Sequence, residues 1–391
     1  MRVQLRRGED GAAAIIVALL VVIFVGLTAF ATDFGLAYTS KRQFQAGSDA
    51  GALAAAISLA QEPGSCQAIA GDSAAVAKAQ DQADITADGN RFDASSWTPS
   101  DLEIACPEGD RTLEVTYTMS GTSPRIFGSI YGEGDYALSR TATAEVYVVP
   151  GGPTGVRPYF ICGADVDDLI AASSNPGTKY ALMKYPSDNP ECPGSSGNWF
   201  TSDCPDDGNN GTLDENTAAG CQQEVAPVDV SAADADGDGS LSLEELKAEC
   251  ANQTSAPVTC LHANPGNVAS QVVVQAWDEL IGDVIGLPIF KEEWNDLICT
   301  GGAKGGGNNC KYPIEQLVAA KVCGYKWQNK TGWETAVDPD CGAIPPFPGD
   351  TNDSYLAIKL DRLITSGSYA PAPGCTLSDP TCGFRSAHLI K

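Results

Sequence analysis

Ala12-Ala13-Ala14-Ile15-Ile16-Val17-Ala18-Leu19-Leu20-Val21-Val22-Ile23-Phe24-Val25-Gly26-Leu27-Thr28-Ala29-Phe30-Ala31 is an uncharged, almost wholly apolar run, and its continuation decides the fold. About twenty such residues, at a rise of about 1.5 Å each, cross a hydrocarbon core of about 30 Å. From Thr32 to Ala60 no proline interrupts the chain, small residues surround Phe34, Tyr38 and Phe44, and the stretch ends in the alanine-rich Asp49 to Ile57 before Pro63-Gly64. Alanine favours helix and Pro-Gly stops it. The run therefore predicts a transmembrane helix over 12–31 that continues as one helix beyond the membrane. Arg2, Arg6 and Arg7 lie ahead of it, so the positive-inside bias places residues 1–11 in the cytoplasm and the bulk outside, in the periplasm or at the cell surface. Lys41 and Arg42 weaken that bias without reversing it. Ala29-Phe30-Ala31 also has the form of a signal-peptidase site, so a cleaved signal is the competing reading, although the run exceeds an ordinary h-region of about 7–15 residues.

Beyond the helix the pattern changes period. Ala68 to Ala87 reads as an alanine-rich helix, and Leu113, Val115, Tyr117 and Met119 alternate with polar neighbours as a half-buried strand does. Ser123-Pro124 opens a short predicted helix through Tyr131, and Tyr136 to Val149 alternates again. Pro150-Gly151-Gly152-Pro153-Thr154-Gly155 marks a boundary. The residues before it, 32–150, form one module, and 151–391 form a second. In the second, Asn175 to Gly220 is loop-rich, and Asn267 is expected to cap an amphipathic helix with Val268, Val272, Ala276, Leu280 and Val284 on one face. Gly301 to Gly307 with Lys304 lacks the G-K-[ST] of a phosphate loop and reads as a plain loop. Late strands are expected at Tyr312 to Tyr325, Leu356 to Thr365 and Phe384 to Lys391. The fold class is α+β: a transmembrane helix continuing into a long helix with antiparallel strands, then a disulfide-rich α+β domain.

Charge and cysteines bound the environment. A formal charge of −26 argues against nucleic acid or anionic lipid as a partner of the exported part, since like charges repel. All 14 cysteines follow the apolar run, an even number that fits disulfides in an oxidising compartment. A zinc or iron–sulfur site is the rival reading, but no C-x₂-C pair occurs, and only His262 and His388 could add nitrogen ligands. Cys66 with Cys106 is a plausible local pair because that module holds no other cysteine.

Asp234 to Glu245 fits the EF-hand calcium loop at each position. Calcium takes six to eight hard oxygens, and here Asp234, Asp236 and Asp238 stand at the first three ligand positions. Ser240 offers its backbone carbonyl, Ser242 stands where water often bridges, Glu245 closes the loop bidentately, and Gly239 makes the turn. Leu241 is the inward apolar residue, and Leu243 to Glu249 reads as the exiting helix. The entering helix is short, because Pro227 and the β-branched Val228 and Val230 stand close upstream. Ca²⁺ is the expected cofactor, held at the weak, structural end of the range, about 10⁻⁴ to 10⁻³ M. An acidic turn without an ion is the alternative. Asp203 to Gly211 is acidic as well, but its carboxylates miss the required intervals.

Arg7-Gly8, the apolar span, Ala31-Thr32-Asp33-Phe34-Gly35, Tyr38, Lys41-Arg42-Gln43-Phe44-Gln45 and Ser48-Asp49-Ala50-Gly51-Ala52-Leu53-Ala54-Ala55-Ala56 follow one another in an order that resembles the N-terminal region of Tad-type (Flp) pilus-assembly proteins, the TadE/TadG-like group. The resemblance implies a membrane-anchored, pilin-like accessory protein whose partners are other pilus-assembly or pilin-like membrane proteins. The alanine-rich helix is then expected to meet partner helices through Ala50, Ala54 and Ile57. Prepilin-like members carry a glutamate five residues after the processing glycine; Ala13 takes that place after Gly8, so the resemblance carries no expectation of peptidase processing. The D-x-S-x-S motif of the von Willebrand A domain found in many TadG-like proteins does not occur. From Pro265-Gly266-Asn267 through Leu287-Pro288-Ile289-Phe290 to Val322-Cys323-Gly324-Tyr325 the second module is also similar to the C-terminal region of some TadG-like proteins.

Nucleophilic catalysis needs a serine or cysteine with a positioned base, and two histidines in regions without a G-x-S-x-G elbow make a poor case for one. The leading expectation is a non-enzymatic, membrane-anchored component of a Tad/Flp-type pilus assembly or adhesion system with a calcium-binding exported domain. A secreted calcium-dependent adhesin, cut near Ala31 and meeting a surface ligand, is the second reading. An exported hydrolase is the third.

Overall fold

The computed structural model describes residues 10–90, 97–132, 134–150, 154–173, 180–185, 201–205, 213–251, 257–264, 268–291, 311–333, 341–342, 347–348, 352–365, 371–372 and 374–390. The expected loop Gly301 to Gly307, the Asn267 cap, the N-terminal arginines, most of Asn175 to Gly220, and Cys192, Cys299 and Cys310 lie outside these residues.

One helix, α1, runs from Asp10 to Ala60, 51 residues and about 75 Å. From Ala14 to Ala31 it is apolar and almost wholly exposed, while the second half is buried on one side: Phe44, Ala52, Ala55, Ala56 and Leu59 are inaccessible to solvent. The alanine-rich helix expected next is two helices, α2 (Cys66–Gly71) and α3 (Ser73–Gly89). Asp72 breaks them apart, since its extended backbone leaves the helix while its carboxylate accepts the N–H of Ala74 and Ala75 at 2.9 and 3.2 Å. That is an N-cap, which restarts a helix more readily than it continues one. Ala75, Ala79, Ala83 and Ala87 form the buried stripe of α3, small enough to let it lie close along α1.

Strands β1 (Trp97–Pro99), β2 (Glu103–Ala105), β3 (Thr112–Ser123) and β4 (Tyr136–Val148) follow. The alternation in β3 is realised: Leu113, Val115, Tyr117 and Met119 are buried against α1 and α3. On the other face Thr116 meets Thr143 at 2.9 Å, Thr118 meets Thr141 at 2.8 Å and Ser120 meets Ser139 at 3.0 Å, a hydroxyl ladder of cross-strand pairs. The short helix expected through Tyr131 is a 3₁₀ turn over Gly128–Tyr131. At its entry the Asp33 carboxylate accepts the N–H groups of Ile126, Phe127 and Gly128, and it ends where Gly132 takes φ 79°.

The remaining chain alternates short helices and strands: β5 (Ile161–Cys162), α4 (Val166–Ser173), β6 (Ala181–Tyr185), α5 (Leu213–Ala219), α6 (Val230–Ala233), α7 (Leu243–Ala251), β7 (Cys260–His262), α8 (Gln271–Leu280), β8 (Val284–Phe290), β9 (Lys311–Pro313), β10 (Gln316–Trp327), β11 (Lys330–Trp333), β12 (Ser354–Leu360), β13 (Leu363–Thr365) and β14 (Phe384–Ile390). Among the described residues one sheet runs β5-β8-β10-β12-β6 with β11 on β10, and β7 pairs β9 separately. Its core is aromatic, with Tyr159, Tyr185, Trp277 and Trp327 in mutual ring contact at 4.9–6.3 Å. The amphipathic helix is shorter than expected and turned: Ser270 is its N-cap and Val273, Ala276, Trp277 and Leu280 face inward. Val272 points to solvent, while Val284 belongs to β8, because Gly282 (φ 92°) ends the helical register.

The first sheet is completed from the far end of the chain. Its order is β1-β3-β4-β14-β13, with β2 on β3, so the C-terminal strand pairs antiparallel with β4 from Arg385 opposite Val148 to Ile390 opposite Thr143. Residues 372–387 thereby contribute Ala372, Leu377, Cys382 and Ala387 to the core around α1, while Phe384 enters the second core.

Disulfides join Cys66 to Cys106, Cys204 to Cys221, Cys250 to Cys260, Cys323 to Cys341 and Cys375 to Cys382. Cys162 is bridged too, and no described cysteine is free.

Candidate functional site

Two features gather chemistry. In the acidic loop, α6 is four residues long, capped by Asp229, and α7 leaves with Leu246 and Cys250 buried. Leu241 packs against Leu246, Cys250 and Cys260, so the Cys250–Cys260 bridge anchors the loop's exit. Gly237 and Gly239 take φ of 75° and 84°, a backbone that side-chain-bearing residues avoid. The chain thereby curls around its own carboxylates. Asp234 accepts the N–H of Gly237 at 2.7 Å and of Gly239 at 2.8 Å, and Glu245 accepts that of Ala235 at 2.7 Å and the Ser242 N–H and hydroxyl at 2.8 and 2.6 Å.

One carboxylate oxygen each from Asp234, Asp236 and Glu245 lies within 4.8 Å of the others. Asp238 instead accepts the N–H and hydroxyl of Ser240 at 2.8 and 2.7 Å, and the Ser242 hydroxyl serves Glu245. The Gly239 N–H holds the Asp234 carboxyl below its ordinary range, and the Ser242 hydroxyl does the same for Glu245. At Asp236 the Asp238 N–H pulls downward, but the Asp238 carboxylate, partial desolvation and Glu245 outweigh it and raise the group. Ionised hard oxygens crowded at this spacing fit a divalent hard cation in kind, because its charge would relieve the repulsion at Asp236.

The second feature is the C-terminal half of α1, where the residues behind the family resemblance meet the β3–β4 hairpin. A Cβ on Gly51 would lie 2.6 Å from Cε1 of Tyr117, so glycine permits this approach. The Ser48 hydroxyl is 2.9 Å from the Arg140 carbonyl, and Ser40 meets Ser123 at 3.0 Å. Lowest of all, buried Asp33 accepts the N–H groups of Ile126 at 2.8 Å, Phe127 at 3.1 Å and Gly128 at 2.7 Å. Sequence reasoning included Asp33 in the motif without assigning it a role. A lone acid directly after an apolar span was the available signal. Ala50, Ala54 and Ile57, expected at a helix partner, are half-buried in the monomer, since the hairpin and α3 already cover much of that turn.

The first half of α1 is long and apolar enough to cross a membrane. Residues 11–60 match the Tad family model, described as putative Flp pilus-assembly TadE/G-like, and the chain thus carries a TadE/G-like domain at its N-terminal end. No curated protein and no solved structure matches the chain.

Proposed function

We propose that this protein is a non-enzymatic, membrane-anchored component of a Tad/Flp-type pilus assembly or adhesion system, with a calcium-binding exported domain. The carrying observation is the TadE/G-like match over 11–60, which coincides with an apolar helix that runs unbroken into a folded domain. The family match supports other pilus-assembly or pilin-like membrane proteins as partners. The arginines before the span support a cytoplasmic N-terminus. Disulfides support an oxidising compartment for the rest. Ca²⁺ would be held by Asp234, Asp236 and Glu245, with Asp238, Ser240 and Ser242 completing the oxygen set. It would act as a staple between α6 and α7. Because α1 is continuous through Ala31 and Asp33 ties its next turn to the hairpin, retention of the span is favoured over cleavage there.

Membrane fractionation tests the reading. Protein that stays in the membrane through high salt and carbonate, keeps Arg2 and crosslinks to pilus-machine proteins is the expected result. A soluble mature form beginning at Thr32 would overturn it.

A further inference from the structure

The β3–β4 hairpin descends along α1 toward the apolar span in steps: Tyr117 at Gly51, Met119 at Gly47, Ser123 at Ser40, and Ile126 to Gly128 at Asp33. Strand pairing closes with Ser123 opposite Tyr136, so the described residues from Pro124 to Gly132 form a tip that reaches below the sheet. Asp33 stands only two residues, about 3 Å of helix rise, beyond Ala31. The tip is thus pinned where the helix leaves the hydrocarbon. There it exposes Ile126 (53%) and Ile130 (74%), large apolar side chains that water solvates poorly. At the same level of α1, on either side of Asp33 in sequence, Phe30 and Phe34 stack at 6.0 Å and are exposed. One turn higher, Tyr38 carries the Arg42 guanidinium over its ring at 5.7 Å, and on the tip Arg125 lies 3.7 Å from the Tyr136 ring centre. Apolar rings followed by aromatic and cationic groups are the profile of a bilayer boundary.

We propose that the hairpin tip is a second membrane contact, with Ile126 and Ile130 inserted into the outer face of the lipid bilayer beside α1, and with Asp33 as the residue that sets its depth. This rests on the anchored reading of residues 12–31. Glu133 and Asp135 offset Arg125 in the tip's sequence, so insertion is driven by apolar burial and needs no anionic lipid. A two-point contact fixes the tilt and rotation of the exported domain, which a single helix leaves free.

The test places a photoreactive benzophenone residue at Ile126, Ile130, Val22 or Ile85 in the full-length protein reconstituted in phosphatidylcholine vesicles. Ile85 is a matched control: it is 67% exposed but lies on α3, where the Ala83 and Ala87 carbonyls approach Gly51 and Gly47, about 24 Å up the helix from Asp33. Acyl-chain adducts at Ile126 and Ile130, as at Val22, with at least a tenfold lower yield at Ile85, are expected. Adducts at Val22 but none at either tip position, or tip adducts only to a second protein copy, overturn the insertion and leave the anchor standing. Absence of adducts at Val22 removes the anchor, and the insertion with it.

Discussion

The Arg385 guanidinium donates to the Ala60 carbonyl at 2.7 Å, joining the last strand to the end of the first helix across 325 residues of sequence. It also reaches the carbonyls of Glu62 at 3.0 Å and Leu377 at 2.7 Å. The Ala60 acceptor ends α1, where the helix dipole presents negative charge. Burial, with Arg362 nearby, pushes Arg385 down to about 9, which leaves it charged at neutral pH. The C-terminal end of α1 is therefore capped from β14.

Replacing that cap should be costly. Arg385→Met leaves buried carbonyls without donors and is expected to lower stability by about 3 kcal/mol, with Arg385→Lys recovering part of it. Denaturant melts of the full chain in detergent, followed by tryptophan fluorescence, measure this. An unchanged midpoint for Arg385→Met would falsify the capping role.

Gly51→Ala should destabilise, although alanine is the better helix former by about 1 kcal/mol. Its Cβ would meet the Tyr117 ring at 2.6 Å, and that ring is fully buried with its hydroxyl held by Asp84 at 2.8 Å. Neither side has room to yield, so a net loss of about 1–3 kcal/mol is expected from overpacking. A gain in melting temperature would show that the hairpin moves freely along α1.

Asp110 links α2 to the C-terminal segment. It accepts the Cys66 N–H at 2.7 Å and the Ser378 N–H at 3.2 Å, as well as the Ser378 hydroxyl. Partial burial raises this carboxyl, but those donors, led by the Ser378 hydroxyl, outweigh it and hold the group below its ordinary value. A carboxyl depressed in the folded state stabilises above its unfolded value of about 3.9, and that contribution is lost as pH falls through the folded value. Acid titration of wild type should show this loss below about pH 4, while Asp110→Asn, weaker by about 1 kcal/mol at neutral pH, should lack that component. Parallel acid profiles for the two proteins would exclude it.

The disulfides should contribute unequally. Cys66–Cys106 closes a separation of 40 residues and Cys375–Cys382 only 7, so chain entropy assigns them about 4 and about 2.4 kcal/mol. Paired Cys→Ala variants, compared by equilibrium unfolding, should keep that order. The reverse order would place the dominant effect in the native state.

Calcium should stabilise through the acidic loop. At a hundredfold excess of Ca²⁺ over its dissociation constant the fold gains about 2.7 kcal/mol, and Glu245→Gln or Asp234→Ala should lose most of that gain at the same concentration. Melts with Ca²⁺ and with chelator test this, and identical melts for wild type at millimolar Ca²⁺ leave the loop an acidic turn.

Local chemistry made several elements legible. The apolar run, its proline-free continuation and the Pro63-Gly64 stop determine α1, and period-two alternation determines β3 and β4, because each signal is written in neighbouring residues. The spacing from Asp234 to Glu245 likewise marked which carboxylates could converge, three of which meet, while Asp238 turns to Ser240. The break at Asp72 was local too, but it was hidden by alanines on both sides. What only the tertiary structure decided is long-range: β14 beside β4, Arg385 under Ala60, and Asp33 holding the hairpin tip. A strand's periodicity says which face is buried, not which edge it joins, and a carboxylate's sequence neighbours do not reveal a backbone donor some ninety residues away. Those partners are selected by the closing of two shared cores, a property of the whole chain rather than of any segment.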